Sequence, residues 1–325
     1  MSLLSNDSSV SSAGAILSVT LAQKITFGFL IALILPSVAS SCFVFYRVTQ
    51  NKEIFKKLSN QLIFCLFLIY FIQAILDLPL TIKFLHRGEV AIPNYTFCAY
   101  WFTLMSTLNM CTMYLNAYLS IERYLLVFHN KFLLKYKNIL HYIPMFLILI
   151  ISVVFVFSFS VFYPCQTQFN YNAIVCGSVC SILIRDFGLF VWILTFVAPL
   201  FVIIFSNGFI LTRVILHKRR MLQKNIWQKN KGMVLQLLSV TGMLYISWLP
   251  VSITTVIYTA HSTPLIREIH DNWLTLGLIY IPVLSSPLTT SFAIPELRND
   301  IRVWLNRRRP HVNVTQTHPT IPART

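Results

Sequence analysis

The sequence predicts an all-α protein, a bundle of seven membrane-spanning helices followed by a short amphipathic helix at the membrane interface. Three observations predict it: an apolar, charge-poor composition, seven apolar runs long enough to cross a bilayer, and basic residues gathered on alternate connections. Of the 325 residues 56% are hydrophobic and 11% charged, whereas a typical soluble domain carries about 25% charged residues. Such a chain cannot cover its own surface with polar groups, so lipid is the expected solvent. A net charge of +16 in a soluble protein would suggest nucleic acid. Here the basic residues lie in short connections between apolar runs, which argues for membrane orientation and against a nucleic-acid partner.

A helix needs about 20 mainly apolar residues to cross the hydrocarbon. Seven runs qualify, near 25–47, 58–84, 97–127, 138–163, 185–216, 232–259 and 272–292. Asp77 is the one carboxylate well within a run, and the fourth run has no Lys, Arg, Asp or Glu between Asn138 and Tyr163. The first, third and fifth connections and the C-terminal tail hold 21 of the 26 Lys and Arg residues. By the positive-inside rule those segments are cytoplasmic, so the N-terminus is extracellular and the chain is a multi-pass plasma-membrane protein.

Residues 1–24 are Ser-rich, carry a glycosylation sequon at Asn6, and read as a short disordered extracellular tail. They lack a basic stretch followed by a short apolar run, so no cleaved signal peptide is expected and the first span inserts as a signal anchor. The membrane domain covers 25–292. Within 293–306 the apolar residues Leu297, Ile301, Trp304 and Leu305 recur at helical spacing behind Pro295, which predicts an amphipathic helix on the membrane surface. Residues 307–325 are a polar cytoplasmic tail.

Cys42, Cys65 and Cys111 fall inside apolar runs, whereas Cys98, Cys165, Cys176 and Cys180 fall on the extracellular side, where disulfides persist. The third run ends in Ser120-Ile121-Glu122-Arg123-Tyr124. Upward from Arg123, helical spacing aligns Leu119, Asn116, Thr112, Asn109 and Met105, a polar stripe that must face other helices or a water-lined cavity. The sixth run holds Ser247-Trp248-Leu249-Pro250, with Thr241, Tyr245, Trp248, Ser252 and Thr255 on one face. The seventh ends in Ser286-Pro287-Leu288-Thr289-Thr290. A proline inside such a helix removes a backbone bond and creates a pivot.

In order, spacing and side of the membrane, these features resemble the rhodopsin-like (class A) G-protein-coupled receptors, over nearly the whole chain. The resemblance implies a ligand-activated receptor, not an enzyme, with a heterotrimeric G protein as partner and no cofactor. It makes Glu122, Arg123 and Tyr124 the coupling switch, Pro199, Trp248, Pro250 and Pro287 the helix pivots, and Trp248 the floor of the ligand pocket. It also implies a disulfide from Cys98 to the second extracellular loop. By distance from Pro199, Cys176 fits best and Cys180 next, with Cys165 free to pair with the remaining one; the sequence does not choose among these connectivities.

The chain departs from the family at several switch positions. The usual Asp of the second span falls on Tyr70, the Tyr of the fifth on Asn207, the Asn of the first on Cys42, and the Asn and Tyr around Pro287 on Ser286 and Thr290. A phenol at Tyr70 would not hold a sodium ion as a carboxylate does. Asn230 stands between Lys229 and Lys231 where some relatives offer Arg123 an acidic partner.

The candidate pocket comprises Asp77, Met105, Asn109, Trp248 and Tyr280. Met105 falls where amine receptors place an Asp and Tyr280 where opsins place the retinal lysine, which disfavours amines and retinal. Asp77 could meet a cationic ligand group or a neighbouring helix. A peptide is the favoured ligand, given the cysteine-bearing loop 164–184 and the acidic Glu268 and Asp271 near the mouth. His261 and His270 alone do not make a metal site. The rival classes are a receptor-like binder that does not couple, suggested by the departures, and a transporter, which would need coupled intramembrane charges or repeated halves. The basic segment Lys218–Lys231 and Arg307–Arg309 could equally hold anionic lipid.

Overall fold

The computed structural model describes residues 7–220, 224–261, 263–266, 277–294, 297–298 and 303. Among them the chain is helical apart from short connections and one extracellular loop. Helix α1 (Asp7–Gln50) contains the first span, Gln23–Gln50, and starts well inside the segment read above as an unstructured tail. Asn6 lies outside the described residues. After a short α2 (Lys52–Lys56), the second span is two helices, α3 (Leu58–Leu76) and α4 (Leu78–Arg87), broken at Asp77. Pro79 causes the break, because its ring excludes the backbone hydrogen bond that would join the two turns. Gly88 ends α4 in a left-handed conformation (φ 76), the usual C-terminal stop that lacks a Cβ penalty.

The third span is α5 (Tyr95–Phe128), capped by Asn94, whose side chain accepts from the Thr96 amide at 3.2 Å. After α6 (Asn130–Lys135), a π-helical turn at Asn138–Tyr142 leads into α7 (Ile143–Val161). The loop that follows contains a short α8 (Cys180–Leu183). The fifth span is α9 (Arg185–Trp192), a π turn at Ile193–Val197, and α10 (Ala198–Arg220). The sixth lies in α11 (Lys224–Ala260), with Pro250 inside it, and the seventh in α12 (Tyr280–Ala293), with Pro287 inside it.

Both π turns precede a proline, Pro144 and Pro199, which cannot donate to the preceding turn. Two tyrosines one turn apart on α5 supply the missing donors. Tyr118 OH donates to Leu140 O before Pro144, and Tyr114 OH donates to Leu194 O at 2.9 Å before Pro199.

Five helical segments among the described residues are long and apolar enough to cross a membrane. The 34-residue α5 is long enough but carries the polar stripe, and α12 is described over only 14 residues. Helix α5 is the centre of the bundle, packed on α3, α7 and α10, while α12 packs on α1, α3 and α11. Helix α7 lies at the periphery: Phe146, Leu147, Ile150, Ile151, Val153 and Val154 are each about half exposed. A soluble protein would not present such a face, and a lipid-facing helix does. At the cytoplasmic end Val44, Ile54, Phe67, Ile294 and Leu297 form a separate buried cluster. Of the amphipathic segment 293–306, the residues from 295 on other than Leu297, Arg298 and Val303 lie outside the described residues, as does the tail 307–325.

Candidate functional site

Two regions of the bundle are candidates for function, an extracellular-side cavity and a buried polar cluster at the cytoplasmic end. The cavity measures about 500 Å³ and lies between α5, α7, α9 and α11, with Ile279 just before α12, beneath the loop 170–178. Its walls are mostly apolar, with Phe102, Met105, Val191 and Val251 among them. Its polar lining consists of amides and hydroxyls such as Asn109, Asn170, Thr195 and Thr255. No Asp, Glu, Lys, Arg or His lines it among the described residues. The Thr195 hydroxyl is buried without a hydrogen-bond partner, at the π turn created by Pro199.

Trp248 forms one side of a three-ring stack in this lining. Its ring lies 4.7 Å from Phe196 at 19°, and Phe196 lies 4.5 Å from Trp192 at 30°. The stack joins α9 and its π turn to α11 two residues before Pro250. Trp192 and Phe196 were not singled out from the sequence. Their spacing of four, ending beside the Pro199 turn, is the signal that carries them.

The cavity roof is pinned by two disulfides, Cys98–Cys176 and Cys165–Cys180. The first ties the loop to the start of α5. Next to it Val175 and Cys176 sit at φ 53 and 57, a left-handed conformation that a β-branched valine adopts only when its surroundings impose it. The loop also donates and accepts along its own backbone, as in Asn170 N to Cys176 O at 3.0 Å.

Asp77 and Tyr280 lie outside this cavity. Asp77 is fully buried at the helix break, where Oδ1 accepts from Trp101 Nε1 at 2.8 Å and Oδ2 from Tyr280 OH at 3.0 Å. Since the Tyr280 hydroxyl hydrogen goes to Asp77, the 2.6 Å contact between Thr81 Oγ1 and Tyr280 OH has Thr81 as donor. The carboxylate thus ties three spans together and does not present itself to a ligand. Just below, Gln73 donates to Asn109 at 2.9 Å and Asn116 donates to Tyr70 OH at 3.1 Å, which continues the polar stripe of α5 as inter-helix bonds.

At the cytoplasmic end Glu122 and Arg123 are both buried. Arg123 lines a void of about 20 Å³ together with Asn116, Ser120, Ile203, Thr241 and Leu244, so it faces α10 and α11. Tyr124 packs against Phe209 of α10 at 5.3 Å. Asn207 donates to Thr241 at 2.7 Å, joining the same two helices. Glu122 faces the other way: its Oε1 lies 2.6 Å from His141 Nδ1 on the π turn before α7. The side chains of 224–240, Asn230 among them, lie outside the described residues, as do Glu268 and Asp271.

The family model for the seven-transmembrane receptors of the rhodopsin family matches residues 22–286, more than four-fifths of the chain. The chain belongs to that family. A search of curated proteins returned no match. As a rhodopsin-family receptor it is a non-enzymatic, multi-pass plasma-membrane protein with its N-terminus outside, and it signals from an extracellular ligand to a G protein.

In the receptor, Met105, Asn109 and Trp248 come together on the cavity, whereas Asp77 and Tyr280, grouped with them from the sequence, pair with each other instead. The reason is the break before Pro79, which swings Asp77 under Trp101. Pro250 and Pro287 lie inside the continuous helices of the sixth and seventh spans, and Pro199 lies at the start of α10 after the π turn of the fifth.

Proposed function

We propose that this receptor is activated by a peptide that seats an uncharged, apolar group in the 500 Å³ cavity. The single observation that carries this reading is a cavity floored by the Trp192–Phe196–Trp248 stack and, among the described residues, lined without a charged side chain. A charged group entering it would lose hydration with no ionic partner among the described residues, which costs several kcal/mol. About 500 Å³ accommodates one or two side chains, so the rest of a peptide would lie over the disulfide-pinned loop. The Trp248–Pro250 hinge passes the displacement down α11, and Glu122-Arg123-Tyr124 couples it to the G protein. Asn6 carries a glycan on the extracellular side.

The lack of charged lining among the described residues also favours a second reading, in which the ligand is a small neutral apolar molecule. G-protein activation in cell membranes separates the two, using a peptide panel with aliphatic, aromatic or charged ends beside a panel of neutral lipophilic compounds. The peptide reading expects activation by peptides with apolar ends and at least tenfold weaker potency in a cavity-filling Met105→Trp receptor. Activation by neutral compounds alone supports the second reading. Full potency in Met105→Trp, or dependence on a charged end, refutes the cavity assignment.

A further inference from the structure

The fourth span contributes one histidine near the coupling switch, and it is wholly buried. His141 sits on the π turn Asn138–Tyr142, with Nδ1 2.6 Å from Glu122 Oε1 and Nε2 3.1 Å from Gln61 Oε1 on α3. His141 and Glu122 are 0% and 1% exposed, so solvent does not dilute the contact. The second carboxyl oxygen, Glu122 Oε2, has no hydrogen-bond partner. We propose that His141 is a positioning residue for Glu122, a clamp that holds its carboxyl on the fourth helix rather than leaving it to the adjacent Arg123, and so raises basal coupling. This rests on the reading of Glu122-Arg123-Tyr124 as the switch.

A ring N–H at Nδ1 donates to Glu122 Oε1, and Nε2 meets the Gln61 side-chain amide. Without that donor the carboxylate is released. The other titratable groups around it are Arg123 and Tyr118 on α5 and Tyr142 on its own helix, whose ring meets His141 edge-on at 4.8 Å. From α3 it meets the uncharged Gln61. The released carboxylate then competes for the neighbouring guanidinium and withdraws it from the G protein.

The test is ligand-free nucleotide exchange on a G protein, per surface receptor, in membrane fragments whose cytoplasmic face is open to buffer. His141→Phe should fall roughly three- to tenfold below wild type, the size of a modest population shift. His141→Asn keeps a donor at the Nδ1 position, so its exchange should stay near the wild-type level. Should His141→Phe not reach the surface, His141→Leu takes its place. Basal exchange at background in wild type, equal exchange in His141→Phe, or exchange as low in His141→Asn as in His141→Phe overturns the clamp. Arg123→Ala run alongside separates the two claims. Exchange lost there but untouched in His141→Phe overturns the clamp alone, whereas exchange retained in Arg123→Ala overturns the switch reading and the clamp with it.

Discussion

Replacing Asp77 by alanine removes the acceptor for two buried donors, and the structure sets what that costs. Trp101 is fully buried and its indole N–H has Asp77 as its partner, so the substitution strands that donor; a buried unsatisfied group costs about 1–3 kcal/mol. Tyr280 keeps its contact with Thr81 and loses one bond, about 1 kcal/mol. Double-mutant cycles between membrane helices average about 0.6 and reach about 1.7 kcal/mol, so the lower part of these ranges applies. The expected loss is about 2–3 kcal/mol for Asp77→Ala. Asp77→Asn should cost under about 1 kcal/mol, because its carbonyl still accepts from the indole and Tyr280 can turn its hydroxyl to Thr81. The assay is reversible unfolding of purified receptor in mixed micelles, run as a cycle with Trp101→Phe. Trp101→Phe removes the stranded donor, so the double variant should be about 1 kcal/mol less destabilised than the sum of the singles. Strict additivity, or Asp77→Asn as damaging as Asp77→Ala, refutes the account and returns Asp77 to the ligand.

Three further outcomes follow from the geometry. In the chain-entropy description Cys98→Ser, which opens a closure of 78 residues, should destabilise by about 4 kcal/mol, and Cys165→Ser, which opens one of 15, by about 3; comparable surface expression of Cys98→Ser and wild type would contradict this. A Cβ at Gly188 would run into the Ile182 carbonyl oxygen, so Gly188→Ala should displace the α8–α9 junction and lower the thermal midpoint, whereas Gly208→Ala, in open space, should not. Tyr114→Phe leaves the Leu194 carbonyl before Pro199 without its donor and should cost about 1 kcal/mol in the same unfolding assay, with no loss if water takes the place of the phenol.

The spans and their orientation are readable in one dimension, because lipid demands about 20 apolar residues per crossing and the cytoplasm collects lysine and arginine. Starting positions are less so: α1 reaches back to Asp7 through a stretch whose serines suggest an unstructured tail. The polar stripe from Met105 to Arg123 was legible because helical periodicity alone puts those residues on one face. Which neighbour each meets was not. The tie between Asp77 and Tyr280 joins residues 203 apart through a kink, and no local pattern encodes that. Tyr280 is grouped with the ligand by the position at which opsins place the retinal lysine, and Asp77 as the one carboxylate well within a run; neither signal encodes the kink. A charge count over Lys, Arg, Asp and Glu leaves His141 out of the fourth span. A lone histidine in an otherwise uncharged span is itself the signal, since a polar side chain at that depth needs a partner. Pairing of Cys165 with Cys180 needed three-dimensional proximity, as three loop cysteines leave several connectivities open.

The most direct test of the central claim is nucleotide exchange on a heterotrimeric G protein driven by an activating ligand, comparing the receptor with its Arg123→Ala variant at equal surface density. The account predicts ligand-dependent exchange in the native receptor and its loss in Arg123→Ala, with ligand binding retained in both. Ligand binding without exchange in the native receptor, or exchange that persists undiminished in Arg123→Ala, would contradict it.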